Sequence, residues 1–308
     1  MVEVSILIVC YKSKSLIEAC LDGVFAHTRG MNYEVLLLDC SNDGTVELVA
    51  ERYPQVRIIE NRENLGFARG NNVLASHARG RHLLLLNPDT IVDSNAIGEL
   101  FQTALRFPKA GAVGGRARRA DGSRDPGCRQ TVPSLRRLAF AAVGGAKLLN
   151  GALAENATQP AEVETLSGAF MLVRADAWNE LGGFDTTFFM YAEELDLCYR
   201  LRRAGYAVVM TPTAEIVHLV GGGNAMNPSR ILNISKARMH FFRKFWTGPQ
   251  VLAAGTILWM HGAIRYVGGL AGELLIDWDR GRQLRSAYST VVLSPSSWWQ
   301  GFAAETPS

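Results

Sequence analysis

Residues 188–200 read "FFMYAEELDLCYR", which sets Glu193, Glu194 and Asp196 within four positions, directly behind a run of aromatics. Carboxylates this close together can do one of two things. They can open a surface helix, since acids in the first turn and Arg200, Arg202 and Arg203 near the last complement the helix dipole, with Gly205 ending it. Or one can take a proton from a bound hydroxyl while the others orient it or hold the substrate. The first reading explains the charge order, but not the upstream "GGFDTTFFMY", a tight turn with aromatic bulk. Three more polar groups stand where apolar runs end: Asp39 closing "VLLLDC", Asn64 after "RIIENRE", and Asn87-Pro88-Asp89 closing "LLLLNPD". An Asp at a strand end is more often a turn former or helix cap than a ligand. Three such groups from one sheet edge should converge on one crevice.

The elements that must position these groups alternate. "VSILIVCY" (4–11), "YEVLLLDC" (33–40), "VRIIEN" (56–61) and "RHLLLLNPD" (81–89) read as buried strands. Between them "SLIEACLDGVFAH" (15–27), "GTVELVAERY" (44–53) and "GFARGNNVLASHA" (66–78) have helical spacing, the first with Ser15 and Glu18 as a capping box. This alternation predicts βαβ units, whose sheets bind ligands at the carboxyl ends of their strands. Residues 112–165 show no clear period, and "DGSRDPG" (121–127) is turn-rich and reads as a mobile loop. Order resumes with "SGAFMLVR" (167–174) and "YAVVMTPTAEIVH" (206–218), and beyond residue 230 the pattern is helical.

With 308 residues, 48% of them hydrophobic and 20% charged, the chain is globular with ample core. A net charge of +3 gives no sign of nucleic acid. Seven arginines fall between Arg116 and Arg137, either a solvated loop or a diphosphate clamp. Five scattered cysteines without a CxxC pair support neither a disulfide framework nor a zinc site. The short N-terminal apolar run lacks a basic leader and reads as a strand, so a cytoplasmic protein is expected. Segment 251–270 has the length of a membrane span, but His261, Arg265 and four glycines interrupt it. Peripheral contact with the inner face of the membrane or helix–helix packing, including a homodimer, fits it better. Trp246, Trp259, Trp278, Trp298 and Trp299 are consistent with an interfacial tail.

Taken in order, "VSILIVCYKSKSLIEACLDGV", "LLLDCSNDGT", "NRENLGFARGNN", "LLLLNPDT", "LSGAFMLVRADAWNELGGFDTTFFMYAEELDLCYRLRRAGY" and "EIVHLVGGG" resemble the family 2 glycosyltransferases, in their bacterial rhamnosyltransferase-like branch. The likeness covers roughly residues 4–245. It implies an α/β GT-A fold, a Rossmann-like mixed sheet flanked by helices. It also implies a nucleotide-sugar donor, a divalent cation (Mg²⁺ or Mn²⁺) and inversion at the anomeric carbon. The expected division is a catalytic domain over 1–230, with a nucleotide-sugar half (1–110) and an acceptor half (111–230), followed by a helical extension over 231–308.

The resemblance assigns each motif a task. Val9, Cys10 and Tyr11 wall the base site opposite Asp39 and Ser41. Asn64, Gly66 and Asn71 line the donor pocket, where a helix N-terminus favours phosphate. Asn87 stands where the family's first metal-motif acid lies, leaving Asp89 as the principal metal ligand, with His218 as a second. Gly168 and Ala169 let the donor sugar approach the backbone, although a strand crossing a crowded core would use the same residues. The second acid of the pair, here Glu194 in place of the commoner Asp, is the base; Asp196 is its rival, and Glu193 would orient it or hold sugar hydroxyls.

The expected donor is dTDP-rhamnose, with a UDP-hexose or UDP-galactofuranose as the alternative, and the acceptor a glycan or polyprenyl-diphosphate-linked saccharide. An idle carbohydrate-binding scaffold would be favoured by loss of the acids or of Asp89, all of which are present. A dehydrogenase is excluded, because "CYKSKS" and not GxGxxG follows the first strand.

Overall fold

Continuous apolar runs can be buried on both faces only inside a sheet covered by helices, and the N-terminal runs are used in this way. The computed structural model describes residues 1–61, 63–125, 131–145, 157–219, 226–276 and 279–302. It divides into two compact units: Met1–Val132, Asn156–Thr186 and Glu193–Gly222 form the first, and Pro133–Glu155, Thr187–Ala192 and Gly223–Ser308 the second.

The first unit contains β1 (Val4–Cys10), α1 (Ile17–His27), β2 (Tyr33–Asp39), α2 (Thr45–Arg52), β3 (Arg57–Ile58), α3 (Gly66–His77), β4 (His82–Leu86), β5 (Thr90–Ile91), α4 (Ala96–Arg106) and β6 (Ala110–Arg118). It continues with β7 (Ala161–Glu162), β8 (Phe170–Arg174), α6 (Ala175–Leu181), α7 (Glu193–Arg203) and β9 (Ala207–His218). The sheet order is β3-β2-β1-β4-β8-β6-β9-β5, with β7 also on β9. Strands β3, β2, β1 and β4 run parallel, β8 lies antiparallel between β4 and β6, and β9 runs parallel to β6.

This arrangement selects what meets at one edge. The carboxyl ends of β1, β2 and β4 lie together. Because β8 is reversed, its amino end joins them, with Leu86 opposite Phe170. The reversal back to β6 brings the carboxyl ends of β6 and β9 to the same edge, and Thr90 pairs with His218. Between β6 and β9 the register slips from Gly114–Met210 to Arg116–Glu215. Pro212, which has no N–H to donate, lies in that slip.

The second unit is helical: α5 (Leu135–Ala142), α8 (Pro228–Phe245), α9 (Gly248–Ile276), α10 (Asp279–Leu293) and α11 (Ser296–Trp299). Phe241, Phe242, Ala254, Leu258, Ala287, Val291 and Trp298 are buried in it. The glycines of α9 are contact points. A Cβ on Gly269 would come within 2.7 Å of the Gly281 carbonyl, and one on Gly255 within 2.6 Å of the Trp299 ring. Among the described residues no helix is long and apolar enough to cross a membrane.

Several sequence expectations need correction. Ser15 does not cap α1; the helix starts at Ile17 behind Leu16, with no side-chain cap. The amides of Leu16 and Ile17 both donate to the Ser13 carbonyl, so a turn closes first, and Glu18 pairs instead with Arg52. The first strand stops at Cys10, since Tyr11 is exposed and Lys12 has φ 53°. The third strand shortens to two residues. Residues 112–165 conceal β6 and α5. The turn-rich loop is tied down over its described part: Asp121 accepts from Ser123, and the Asp125 amide donates to Ala117. Residues 126 and 127 of that loop, Cys128, Trp278 and the glycines after Leu219 lie outside the described residues.

Helix α1 approaches the residue after β5 so closely that a Cβ on Gly23 would sit 2.6 Å from the Val92 carbonyl oxygen and 3.0 Å from its nitrogen. Backbone atoms cannot swing aside, so Gly23→Ala is expected to destabilise the protein by about 1–3 kcal/mol. A urea titration with an unchanged midpoint would contradict this packing.

Candidate active site

At the carboxyl edge of β1 and β2, two loops are laced together. The Asp39 carboxylate accepts from the Ser41 amide (3.1 Å) and hydroxyl (2.8 Å), and the Ser41 hydroxyl oxygen accepts from the Lys12 amide (2.9 Å). Burial raises the Asp39 carboxyl above its ordinary range, with the Ser41 bonds opposing. The Cys10 side chain is fully buried and its thiol bonds to Ser13 in the loop after β1, while its carbonyl accepts from the Cys40 amide. Val9, on the opposite face of the strand, meets α3 at Gly70, where a Cβ would come within 2.9 Å of it. Tyr11 is exposed beside this edge.

Helix α3 begins with an Asx turn, the Asn64 side-chain Oδ1 accepting from the Gly66 amide at 3.1 Å; Gly66 has φ 68°. Asn71 turns into its own helix and donates to the Phe67 carbonyl at 2.9 Å, while its buried Oδ1 has no partner among the described residues. Phe67 ties this helix to the amino end of β8. A Cβ on Gly168 would lie 3.1 Å from the Phe67 ring and 3.8 Å from the Glu194 Cβ. The neighbouring Ala169 carbonyl accepts from the Asn87 amide at 3.1 Å. Gly168, Ala169, Asn87 and Glu194 are therefore neighbours.

Asp89 Oδ1 is 3.2 Å from His218 Nε2, and His218 Nδ1 is 3.2 Å from Asp125 Oδ2. Burial alone would lower the imidazole, but the bonds and charges of Asp125 and Asp89 outweigh it and raise His218 to about 9. Two donors about 2.1 Å from one small cation, at right angles, are about 3 Å apart, so the spacing of Asp89 and His218 suits a shared ion. Among the described residues no group of three His, Cys, Asp or Glu side chains is arranged to hold a metal.

The three acids of the opening stretch have different surroundings. Asp196 is fully buried and bonded to the Arg200 guanidinium at 2.7 Å, and Arg200 also donates to the carbonyls of Leu181 and Gly183. This pair anchors α7. Burial, and then the charge of Glu194, push the Glu193 carboxyl well above the usual range; one of its oxygens is buried without a partner among the described residues. Glu194 keeps part of its surface open, and burial raises it to about 6. Tyr191 and Ala192, just before the helix, have φ 68° and 66°, strained values for residues with a Cβ.

Sequence reasoning missed Asp125 and Phe67, and gave Arg200 only a helix-dipole part. Asp125 is one acid among several in a turn, with nothing in its spacing to mark it. Phe67 is hidden inside a helical pattern. The i,i+4 spacing of Asp196 and Arg200 could have revealed that pair.

Residues 2–239 match the profile of the "Glycosyltransferase like family 2". Over 213 residues the chain is 35% identical to an N-acetylglucosaminyl-diphospho-decaprenol L-rhamnosyltransferase of Mycobacterium tuberculosis, which is 63% of this chain and 69% of that protein. It is 28% identical over 219 residues to a poly-beta-1,6-N-acetyl-D-glucosamine synthase of Staphylococcus aureus, 70% of this chain and 50% of the synthase. Among solved structures, a mannosyltransferase from Pyrobaculum calidifontis in complex with GDP-Man and Mn²⁺ superposes with a TM-score of 0.59 at 18% identity, over 93% of this chain and 84% of that one. GalNAc-T7 with UDP, GalNAc and Mn²⁺ gives the same TM-score at 14% identity, over 94% and 55%. The fold is GT-A, as the sequence motifs implied.

Removing the Arg200 guanidinium takes from a fully buried carboxylate its i,i+4 partner. Arg200→Ala is expected to cost about 3–5 kcal/mol, against about 0.5 kcal/mol or less for the exposed neighbour in Arg202→Ala. Chemical denaturation of both variants checks this; equal losses would show that the Asp196 pair does not anchor the helix.

Proposed function

The chain belongs to the glycosyltransferase-like family 2 and is a glycosyltransferase, and from that premise we propose that it passes L-rhamnose from dTDP-rhamnose, with inversion, to a polyprenyl-diphosphate-linked saccharide in cell-surface polysaccharide synthesis. The donor and acceptor follow the mycobacterial relative, whose name specifies rhamnose and a diphospho-decaprenol acceptor. The chemistry rests on one observation: a partly open Glu194, raised to about 6, stands beside Gly168 on the sheet edge that also carries Asp89 and His218.

In this reading Asp39, Ser41 and the Tyr11 loop receive the nucleoside, Asn64 and Gly66 present the start of α3 to the phosphates, and Gly168 and Ala169 leave room for the sugar. Glu194 takes the proton of the acceptor hydroxyl as its oxygen bonds to the anomeric carbon, and the bond to the nucleoside diphosphate breaks on the opposite face. A carboxyl titrating near 6 is ionised at neutral pH yet basic enough to accept the proton. Burial and the charge of Glu194 push Glu193 toward its neutral form, which reduces the charge it sets against the base. Asp196 acts through the helix and takes no proton. Asp89 and His218 would hold a divalent cation, which supplies charge neutralisation on the leaving diphosphate. Asp125 would keep the His218 ring oriented through Nδ1.

Glu194→Gln is expected to lower kcat by about 10²–10⁴-fold while dTDP binding stays unchanged. In the parent enzyme the rate should fall as pH drops through about 6, because the base is protonated below that value. A Gln variant that retains full transfer, or a rate flat across pH 5–7, would remove Glu194 as the base.

Metal binding carries its own proton signature. His218, protonated up to about 9 between its two carboxylates, must lose the Nε2 proton to ligate. Mn²⁺ affinity should therefore rise about tenfold per pH unit below that value. Titration in buffers of different ionisation enthalpy should show close to one proton released at neutral pH. Release that persists unchanged in His218→Ala would place the proton elsewhere.

A further inference from the structure

Helix α9 turns one face away from its neighbours over nearly its whole length, and that face carries no charge. Its exposed positions are Leu252, Thr256, Trp259, Met260, Ile264, Val267, Gly268, Ala271, Leu274 and Leu275, which recur at three- and four-residue steps and so form one stripe. The large side chains are well out in solvent: Val267 is 60% exposed, Leu274 73% and Leu275 80%. The adjoining helix α5 adds exposed Phe140 and, just past its end, Val143. Scattered surface leucines need no explanation, but a continuous stripe of this length does.

Beside the stripe is a cavity of about 540 Å³ lined by Thr256, Trp259, Pro295, Ser296, Trp299 and Gln300. Two of its lining residues are tied down by hydrogen bonds. The Trp259 indole donates to the Val292 carbonyl at 3.2 Å, and the Arg243 guanidinium donates to the Trp299 carbonyl at 3.1 and 3.0 Å.

The surrounding charge points to one occupant. Residues 223–308 hold nine Lys and Arg against four Asp and Glu, in a chain whose net charge is only +3. Exposed Arg243 and Lys244 precede α9, exposed Arg280 and Arg282 follow it, and α5 adds exposed Arg136. A second copy would bring the same positive flanks toward these, whereas an anionic surface would be attracted to them. The stripe is too weak in hydropathy to span a bilayer but matches a helix lying in the interface plane, apolar face down and cations in the headgroup layer.

We propose that the exposed face of α9, with the Trp259–Trp299 cavity and the basic residues flanking the helix, docks the protein on an anionic phospholipid bilayer, the cavity taking an acyl chain. This goes beyond the transferase reading and does not depend on it, because docking is measured without any sugar transfer.

The test is flotation of the full chain with phosphatidylcholine vesicles, with and without phosphatidylglycerol, following Trp fluorescence. The expected result is binding to the anionic vesicles with a blue shift, weakened by salt, and about tenfold or more weaker on neutral vesicles. Val267→Glu with Leu274→Glu, both at exposed positions, should lower partitioning by about tenfold or more while leaving the far-ultraviolet spectrum and dTDP binding intact. Failure of the parent chain to float with any vesicle would overturn the proposal, as would unchanged flotation of the double variant. A salt-stable dimer that the same substitutions split, without vesicle binding, would overturn it in favour of a second copy.

Discussion

The candidate site depends on the reversal of one strand. Four parallel strands deliver loops to one edge, but Gly168, which lies beside Glu194, comes from a segment that reaches that edge only because β8 runs antiparallel between β4 and β6. Had β8 run parallel, Gly168 would lie at the far end of a five-residue strand, about 16 Å away at roughly 3.3 Å per residue. Interleaving one reversed strand lets residues from the carboxyl ends of four strands and the amino end of a fifth share a crevice. The bond from the Asn87 amide to the Ala169 carbonyl joins the loop after β4 to the loop before β8 directly.

That crevice gathers carboxylates that repel one another, and the structure handles each differently. Asp196 is neutralised by a guanidinium locked onto two carbonyls. Asp89 and Asp125 share a histidine whose proton they hold up to about 9. Glu193 is buried toward its neutral form, which leaves Glu194 with a raised but accessible titration. The start of α7 offers partial positive charge to this group. Similar side chains thus acquire different properties from their surroundings, and their spacing in sequence does not assign those properties.

Much of this was legible from residues alone. Apolar runs ending in Asp39 and in Asn87-Pro88-Asp89 located the site edge, because periodicity and strand-end polarity are local properties. The acid-then-basic order of α7 was also readable, as was its end at Gly205. What was not legible is non-local. The pairing of Asp125 with His218 spans 93 positions and depends on the slip between β6 and β9. The inward turn of the Cys10 thiol follows from strand parity, which the motif did not reveal. Ser15 failed as a cap because the Ser13 carbonyl had already closed a turn, a competition between two local hydrogen bonds that composition does not decide.

The most direct test of the account is isothermal titration of dTDP, UDP and GDP into the purified chain, with and without Mn²⁺. The account predicts that one nucleoside diphosphate, dTDP, binds best, that Mn²⁺ tightens it, and that Asp89→Asn removes the tightening but not all of the binding. No heat from any of the three, with metal or without, would contradict a donor site at this sheet edge and leave Glu193, Glu194 and Asp196 as the opening turn of a helix.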